Sequence, residues 1–185
     1  MQPLNVAIVA VEDFSPFHFS VPCIIFSDKV ATKKRFEVQL CAEQPGIVSS
    51  QDGFAITAAY GYEAVEAADI VVIPWWGTTT HRPPQSLLDA LNRAQQNGAQ
   101  IVGLCLGAFV LGYAGLLDGK RAATHWEFEQ DFRRAFRRPV WISTRYTWMT
   151  TVLLPRQGPP PRWIAACTSS ASVLAARWRI RLPDG

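Results

Sequence analysis

Short apolar runs alternate along this chain with segments of helical period. Asn5-Val6-Ala7-Ile8-Val9-Ala10-Val11 is continuous rather than alternating, which predicts a parallel strand buried on both faces. Phe36–Ala42 is a second strand, and Asp69-Ile70-Val71-Val72-Ile73-Pro74 is the third of the core, followed by an aromatic loop at Trp75-Trp76-Gly77. Residues 100–104 form the next strand. Between them, Ser15-Pro16 supplies an N-cap and a first-turn proline for a helix to about Phe26 that Pro22 bends. Asp52-Gly53 turns a small hairpin between Ile47-Val48 and Phe54-Ala55-Ile56. Pro83–Asn97 carries Leu87, Leu88, Leu91 and Ala94 on one helical face and ends at Gly98. A further helix runs to Leu116, and Arg121–Thr124 reads as a short strand ending at His125. Alternation of this kind argues for a doubly wound, mostly parallel α/β sheet of flavodoxin-like form, with helices on both faces.

In such a sheet, ligands bind at the carboxyl ends of the strands. Pro74-Trp75, Cys105 and His125 are all placed there. Ile101-Val102-Gly103-Leu104-Cys105-Leu106-Gly107-Ala108-Phe109 reads as strand, tight turn and helix start, with the thiol at the elbow. Helix N-terminal N–H groups there favour a thiolate, and an imidazole on the same sheet edge can take the thiol proton. The competing reading is a buried cysteine acting as a small hydrophobe.

With 185 residues, 49% of them apolar, the chain is long enough for one full core. No apolar run approaches the roughly 20 residues of a membrane span, and no secretory signal pattern opens the chain, so a cytoplasmic protein is expected. Cys23, Cys41, Cys105 and Cys167 are scattered without a CxxC pair, which suggests neither a disulfide framework nor a metal site. No cofactor is implied.

The run C-L-G-A-F-V-L-G-Y-A-G-L-L-D-G-K-R-A-A-T-H-W, Cys105 to Trp126, is similar almost residue by residue to a signature of GlxA-type AraC-family transcription regulators. V-P-C-I-I-F at Val21–Phe26 resembles that branch's V-P-x-E-V-F helix, and A-D-I-V-V-I-P at Ala68–Pro74 resembles the strand before its oxyanion loop. Residues 5–136 therefore resemble the ThiJ/PfpI superfamily, with its class I glutamine-amidotransferase-like fold. The resemblance implies Cys105 and His125 as the catalytic or formerly catalytic pair. It also implies an unidentified small-molecule effector, DNA contact only through a helix-turn-helix module that residues 1–185 do not contain, and a homodimer.

Three departures bear on chemistry. His18 stands where active relatives carry an acidic residue, and a neutral imidazole cannot share a proton as a carboxylic acid does. Trp75 replaces a glycine whose N–H helps hold an oxyanion, and Leu106 replaces a small or polar residue after the cysteine. Together they favour ligand sensing over catalysis, with His18, Trp75, Trp76, Gly77, Leu106 and Trp126 as ligand-binding candidates. For the tryptophans, the alternative is core packing or a dimer contact. The alternative function is a stand-alone cysteine hydrolase or glyoxalase-like enzyme.

The charge changes sign near Phe136. Residues 1–136 carry ten Lys/Arg against fourteen Asp/Glu, a net −4, whereas residues 137–185 carry eight arginines against Asp184, a net +7. The tail also holds four of the seven tryptophans and Pro159-Pro160-Pro161, which on composition alone reads as nucleic-acid binding. The genetic code supports another reading. A TGG codon followed by AT always contains GAT, so Trp141-Ile142, Trp148-Met149 and Trp163-Ile164 each hide an aspartate in the shifted frame; Met149-Thr150 hides another as GAC. The remaining codons permit F-P-A-x-x-V-D-L-D-P-V-Y-V-D-D-x-G from Phe136 and x-T-T-S-A-G-T-A-A-A-L-D-C-C-L-H from Leu153, the segments with which the superfamily continues. The division expected is thus a ThiJ/PfpI-like domain over 1–136 and a frameshifted, non-native tail over 137–185, which would leave a sheet edge without its last strand.

Overall fold

A computed structural model describes residues 2–27, 34–137, 139–141 and 151–154. Cys167, Trp148, Trp163 and the proline run of the tail lie outside the described residues. In chain order the elements are β1 (Leu4–Val9), α1 (Pro16–Ile25), β2 (Phe36–Cys41), β3 (Gly46–Ser49), β4 (Ala55–Ala58), α2 (Glu63–Ala67), β5 (Ile70–Ile73), α3 (Gln85–Gln96), β6 (Gln100–Leu104), α4 (Gly107–Tyr113), β7 (Arg121–Ala122), α5 (Glu129–Ala135), β8 (Val140–Trp141) and β9 (Thr151–Leu154). A 3-10 turn at Trp126–Phe128 leads into α5.

The central sheet has the order β2-β1-β5-β6-β9. The first four strands are parallel, with Val6 opposite Val38 on one side and Ile70 on the other, and Val72 opposite Val102. Alternate residues feed two cores. Val6, Ile8, Ile70, Val72 and Val102 face Phe19, Val21 and Phe26 of the α1 region and Val48 and Ala58 of the β3–β4 hairpin. Ala7, Val9, Val71, Ile73 and Ile101 face the side occupied by α2, α3, α4 and α5, where Leu87, Leu91, Phe109, Leu111 and Phe132 are at most 1% exposed. Burial on both faces is what a continuous apolar run requires, since either face left wet would forgo about 1.5–3 kcal/mol per large side chain.

Local chemistry sets the element ends. Gly98, at φ +85°, closes α3 with its N–H on the Gln95 carbonyl. The α4 helix stops at Tyr113 rather than Leu116. Gly115 adopts φ +73°, and the Leu116 N–H returns to the Leu111 carbonyl at 3.1 Å, a six-to-one closure that ends a helix. Ser15 has the extended backbone of an N-cap but makes no side-chain cap, because its hydroxyl is engaged by the His18 ring.

Two expectations are corrected. Arg121-Ala122 does not extend the central sheet; β7 pairs in parallel with β8 in a separate ribbon, so His125 is not delivered by a core strand. The outer edge of β6 is not bare either, because β9 pairs with it antiparallel, Val102 opposite Leu153. The five-residue α2 is an element that pattern reading did not predict.

Candidate functional site

The elbow forms because β6 must hand the chain to α4 within two residues. Cys105 absorbs the reversal at φ +51°, a left-handed conformation that costs a non-glycine residue on the order of 1–3 kcal/mol. Gly107 is required two residues later, since a Cβ there would overlap the carbonyl of Ile73 on β5. The elbow is thus wedged against the neighbouring strand, with Cys105 only 2% and Leu106 only 1% exposed.

His125 reaches this corner by a different route from the one expected. The buried Thr124 donates its hydroxyl to the Cys105 carbonyl at 3.1 Å, tying the segment after β7 to the elbow. Phe132 of α5 meets Phe109 of α4 edge-on at 5.0 Å and anchors the far side of the same segment. The His125 Nδ1 accepts from the Glu127 backbone N–H at 3.4 Å, with the Glu127 carboxylate 3.5 Å away. Among the described residues, no hydrogen bond joins Cys105 Sγ to His125 or to His18.

The electrostatics are those of a resting thiol. Burial pushes Cys105 from an ordinary 9.0 up to about 11; a hydrogen bond from the Leu106 backbone offsets part of this, and the Glu127 charge adds to it. His18 is held neutral. Burial lowers its pKa from 6.5 to about 4, and the electrostatic influence of His125 adds to the effect. Its ring stacks on Trp75 with centroids 4.9 Å apart and planes 25° apart, while Nδ1 lies 2.9 Å from the Ser15 hydroxyl. The His18 Nε2 and Trp75 Nε1 atoms are buried with no partner. His18 and Trp75 therefore form a stacked pair of rings in which the imidazole is neutral.

The eight candidate residues separate into three places. Cys105 and Leu106 form the elbow, Thr124 ties the segment bearing His125 to it, and His18, stacked on Trp75, lies within electrostatic reach of His125. Trp126 is 51% exposed, its ring tilted beside His125 at 5.6 Å. Trp76 and Gly77 instead wall an open cleft of about 660 Å³ at the carboxyl ends of β1, β2 and β5. Trp76 is buried and its indole N–H donates to the His81 carbonyl at 2.8 Å, which fixes the loop. Glu12, Glu43, Tyr62, His81 and Arg82 also line this cleft and were not singled out from sequence. Their common signal is position, since Glu12 and Glu43 follow β1 and β2 directly, and His81-Arg82 precedes α3. No group of His, Cys, Asp and Glu able to hold a metal occurs among the described residues, and none of their helices is long and apolar enough to cross a membrane.

Residues 5–149 match the DJ-1/PfpI family. The chain is 27% identical over 126 residues to a protein of Streptomyces lividans from the cpoL 5′ region, the match covering 68% of this chain and 89% of that one. It is 28% identical over 102 residues to isonitrile hydratase of Pseudomonas putida, covering 55% of this chain and 45% of the enzyme. It is 30% identical over 108 residues to the HTH-type transcriptional regulator GlxA of Rhizobium meliloti, covering 58% of this chain and 33% of the regulator. The matches thus span less than half of the hydratase and of the regulator. The fold is similar to that of an AraC family transcriptional regulator of Pseudomonas putida, with a TM-score of 0.65, 21% identity and 80% of each chain covered.

Proposed function

Because the chain belongs to the DJ-1/PfpI family, we propose that it is the ligand-sensing domain of an AraC-type transcription regulator, with Cys105 and His125 marking a former catalytic corner. The observation that carries this reading is the state of the thiol. Cys105 turns a strained strand-to-helix elbow, yet it is buried and held protonated, and His18, at the position we read as the family's acid, is a neutral ring stacked on Trp75. A nucleophile needs a thiolate, and nothing described beside Cys105 takes its proton. HTH-type regulators among the relatives supply the complementary role, in which DNA is contacted by a separate helix-turn-helix module. A cytoplasmic location and a homodimer go with that role.

The same proposal covers residues 137–185, which we read as the product of a one-base frameshift, natural or introduced in sequencing. The hidden aspartates and the T-S-A-G-T string support it. Reading the coding DNA across the Phe136 codon tests both parts. The expected result is an open −1 frame encoding T-S-A-G-T and, downstream, a helix-turn-helix; a −1 frame closed by stops overturns the frameshift, and an open frame without that module overturns the regulator.

A second reading, a cysteine enzyme, is favoured by one observation, the 28% identity to isonitrile hydratase. It requires Cys105 to attack substrate with His125 as base, and a carboxylate where His18 stands.

A further inference from the structure

We propose that the effector site lies in the cleft outside β1, β2 and β5, away from the elbow, and that its ligand is a small organic ammonium ion. The inference rests on the sensing reading above and adds to it a place and a ligand chemistry.

The position is the first argument. In the order β2-β1-β5-β6-β9, the chain leaves β1 for β2 on one side and returns from β2 past it to β5 on the other, so the crevice between the carboxyl ends of β1 and β5 is a topological switch point. The cleft is there, bounded by Val11-Glu12 after β1, Ala42-Glu43 after β2 and Trp76-Gly77 after β5. Its volume of about 660 Å³ suits a small molecule, whereas Cys105 and Leu106 at the elbow are buried. The two consecutive tryptophans divide the work, Trp75 stacking on His18 and Trp76 walling the cleft.

The lining sets the sign of the ligand. Glu12 and Glu43 place two carboxylates in the cleft against the single guanidinium of Arg82. Among the described residues none of the three belongs to an ion pair. Glu12 spends one oxygen on the Ser49 backbone N–H at 3.1 Å, which fixes its carboxylate while leaving the other oxygen available. Trp76 and Tyr62, each at most 9% exposed, complete the wall with aromatic surface. The two carboxylates attract a cation through charge-assisted hydrogen bonds, beside an apolar wall that suits its organic part. An anion would meet a net negative cleft.

The test titrates the full chain with n-butylammonium, n-butanol and butyrate as probes of like size, followed by ligand-observed NMR. For a probe of this size, saturable binding in the millimolar range is expected of n-butylammonium. The Glu12→Gln/Glu43→Gln double variant should weaken it at least tenfold, while Asp131→Asn, which removes an exposed carboxylate on α5, leaves it unchanged. Both glutamates are exposed, and a circular-dichroism melt confirms that the double variant folds. Equal binding of butanol or butyrate, no saturable binding of n-butylammonium, or an unaffected double variant overturns the cleft assignment. A reactive Cys105 thiol, read separately by alkylation, counts against the sensing reading and leaves the binding result to stand on its own.

Discussion

His18 turns the quiet corner into a pH-dependent load on the fold. Its pKa falls from 6.5 to about 4 on folding, chiefly through burial. Between these values the unfolded chain binds a proton that the folded one does not, so stability is full above the unfolded pKa and is lost as pH falls toward the folded one. At pH 4.5 the full shift would remove about 2.5 kcal/mol relative to pH 7, and partial access of solvent to the ring reduces this to about 1–1.5 kcal/mol. His18→Gln removes the titration while keeping a polar side chain of similar reach. Urea unfolding of both proteins at pH 7 and pH 4.5 isolates the effect, because the acid response of the carboxylates is common to both and cancels in the difference. The wild type should lose about 1–1.5 kcal/mol more than His18→Gln over that interval. An equal loss in the two proteins, or a smaller loss in the wild type, refutes the claim that the fold holds His18 neutral.

Two further substitutions probe the scaffold of the corner. Gly107→Ala drives a Cβ into the Ile73 carbonyl, and the overpacking should cost about 2–3 kcal/mol in denaturant unfolding; an effect below about 0.5 kcal/mol means that β5 and α4 yield easily. Thr124→Val keeps the shape of a fully buried side chain but removes its hydrogen bond to the Cys105 carbonyl. A loss of about 1–2 kcal/mol is expected, with His125 ring signals broadened in NMR spectra, and an unperturbed His125 would show that another contact positions that segment.

The elbow was legible because its requirements are local. A strand must turn into a helix within two residues, so Gly103, Cys105 and Gly107 carry the signal in a five-residue window. The hairpin about Asp52-Gly53 and the leucine face of α3 were legible for the same reason, one from turn chemistry and one from a 3.6-residue period. The helix Glu63–Ala67 was missed because five residues are too few to establish a period. The placement of Arg121-Ala122 was missed for another reason. Which strand pairs with which is a long-range fact, and its partner Val140-Trp141 lies beyond the point where the resemblance was followed. The cleft was least visible of all, since its charged residues sit on three separate loops and singly look like ordinary solvated side chains. Trp75 and Trp76 were read together as pocket walls, and the fold gives them different tasks.

The central claim, that the elbow is retained while its chemistry is gone, is tested most directly by the reactivity of one thiol. A rise from 9.0 to about 11 leaves Cys105 with about a hundredfold less thiolate at pH 7 than an unperturbed cysteine. The greater basicity of that thiolate restores only a factor of about 6–10, so alkylation by iodoacetamide should run at least about tenfold slower than that of glutathione. Peptide-resolved mass spectrometry separates Cys105 from the other cysteines and reads this rate. The account predicts a slow Cys105 whose rate still climbs between pH 7 and pH 10; a Cys105 that outpaces glutathione, with a rate already level below pH 7, is an activated nucleophile and contradicts it.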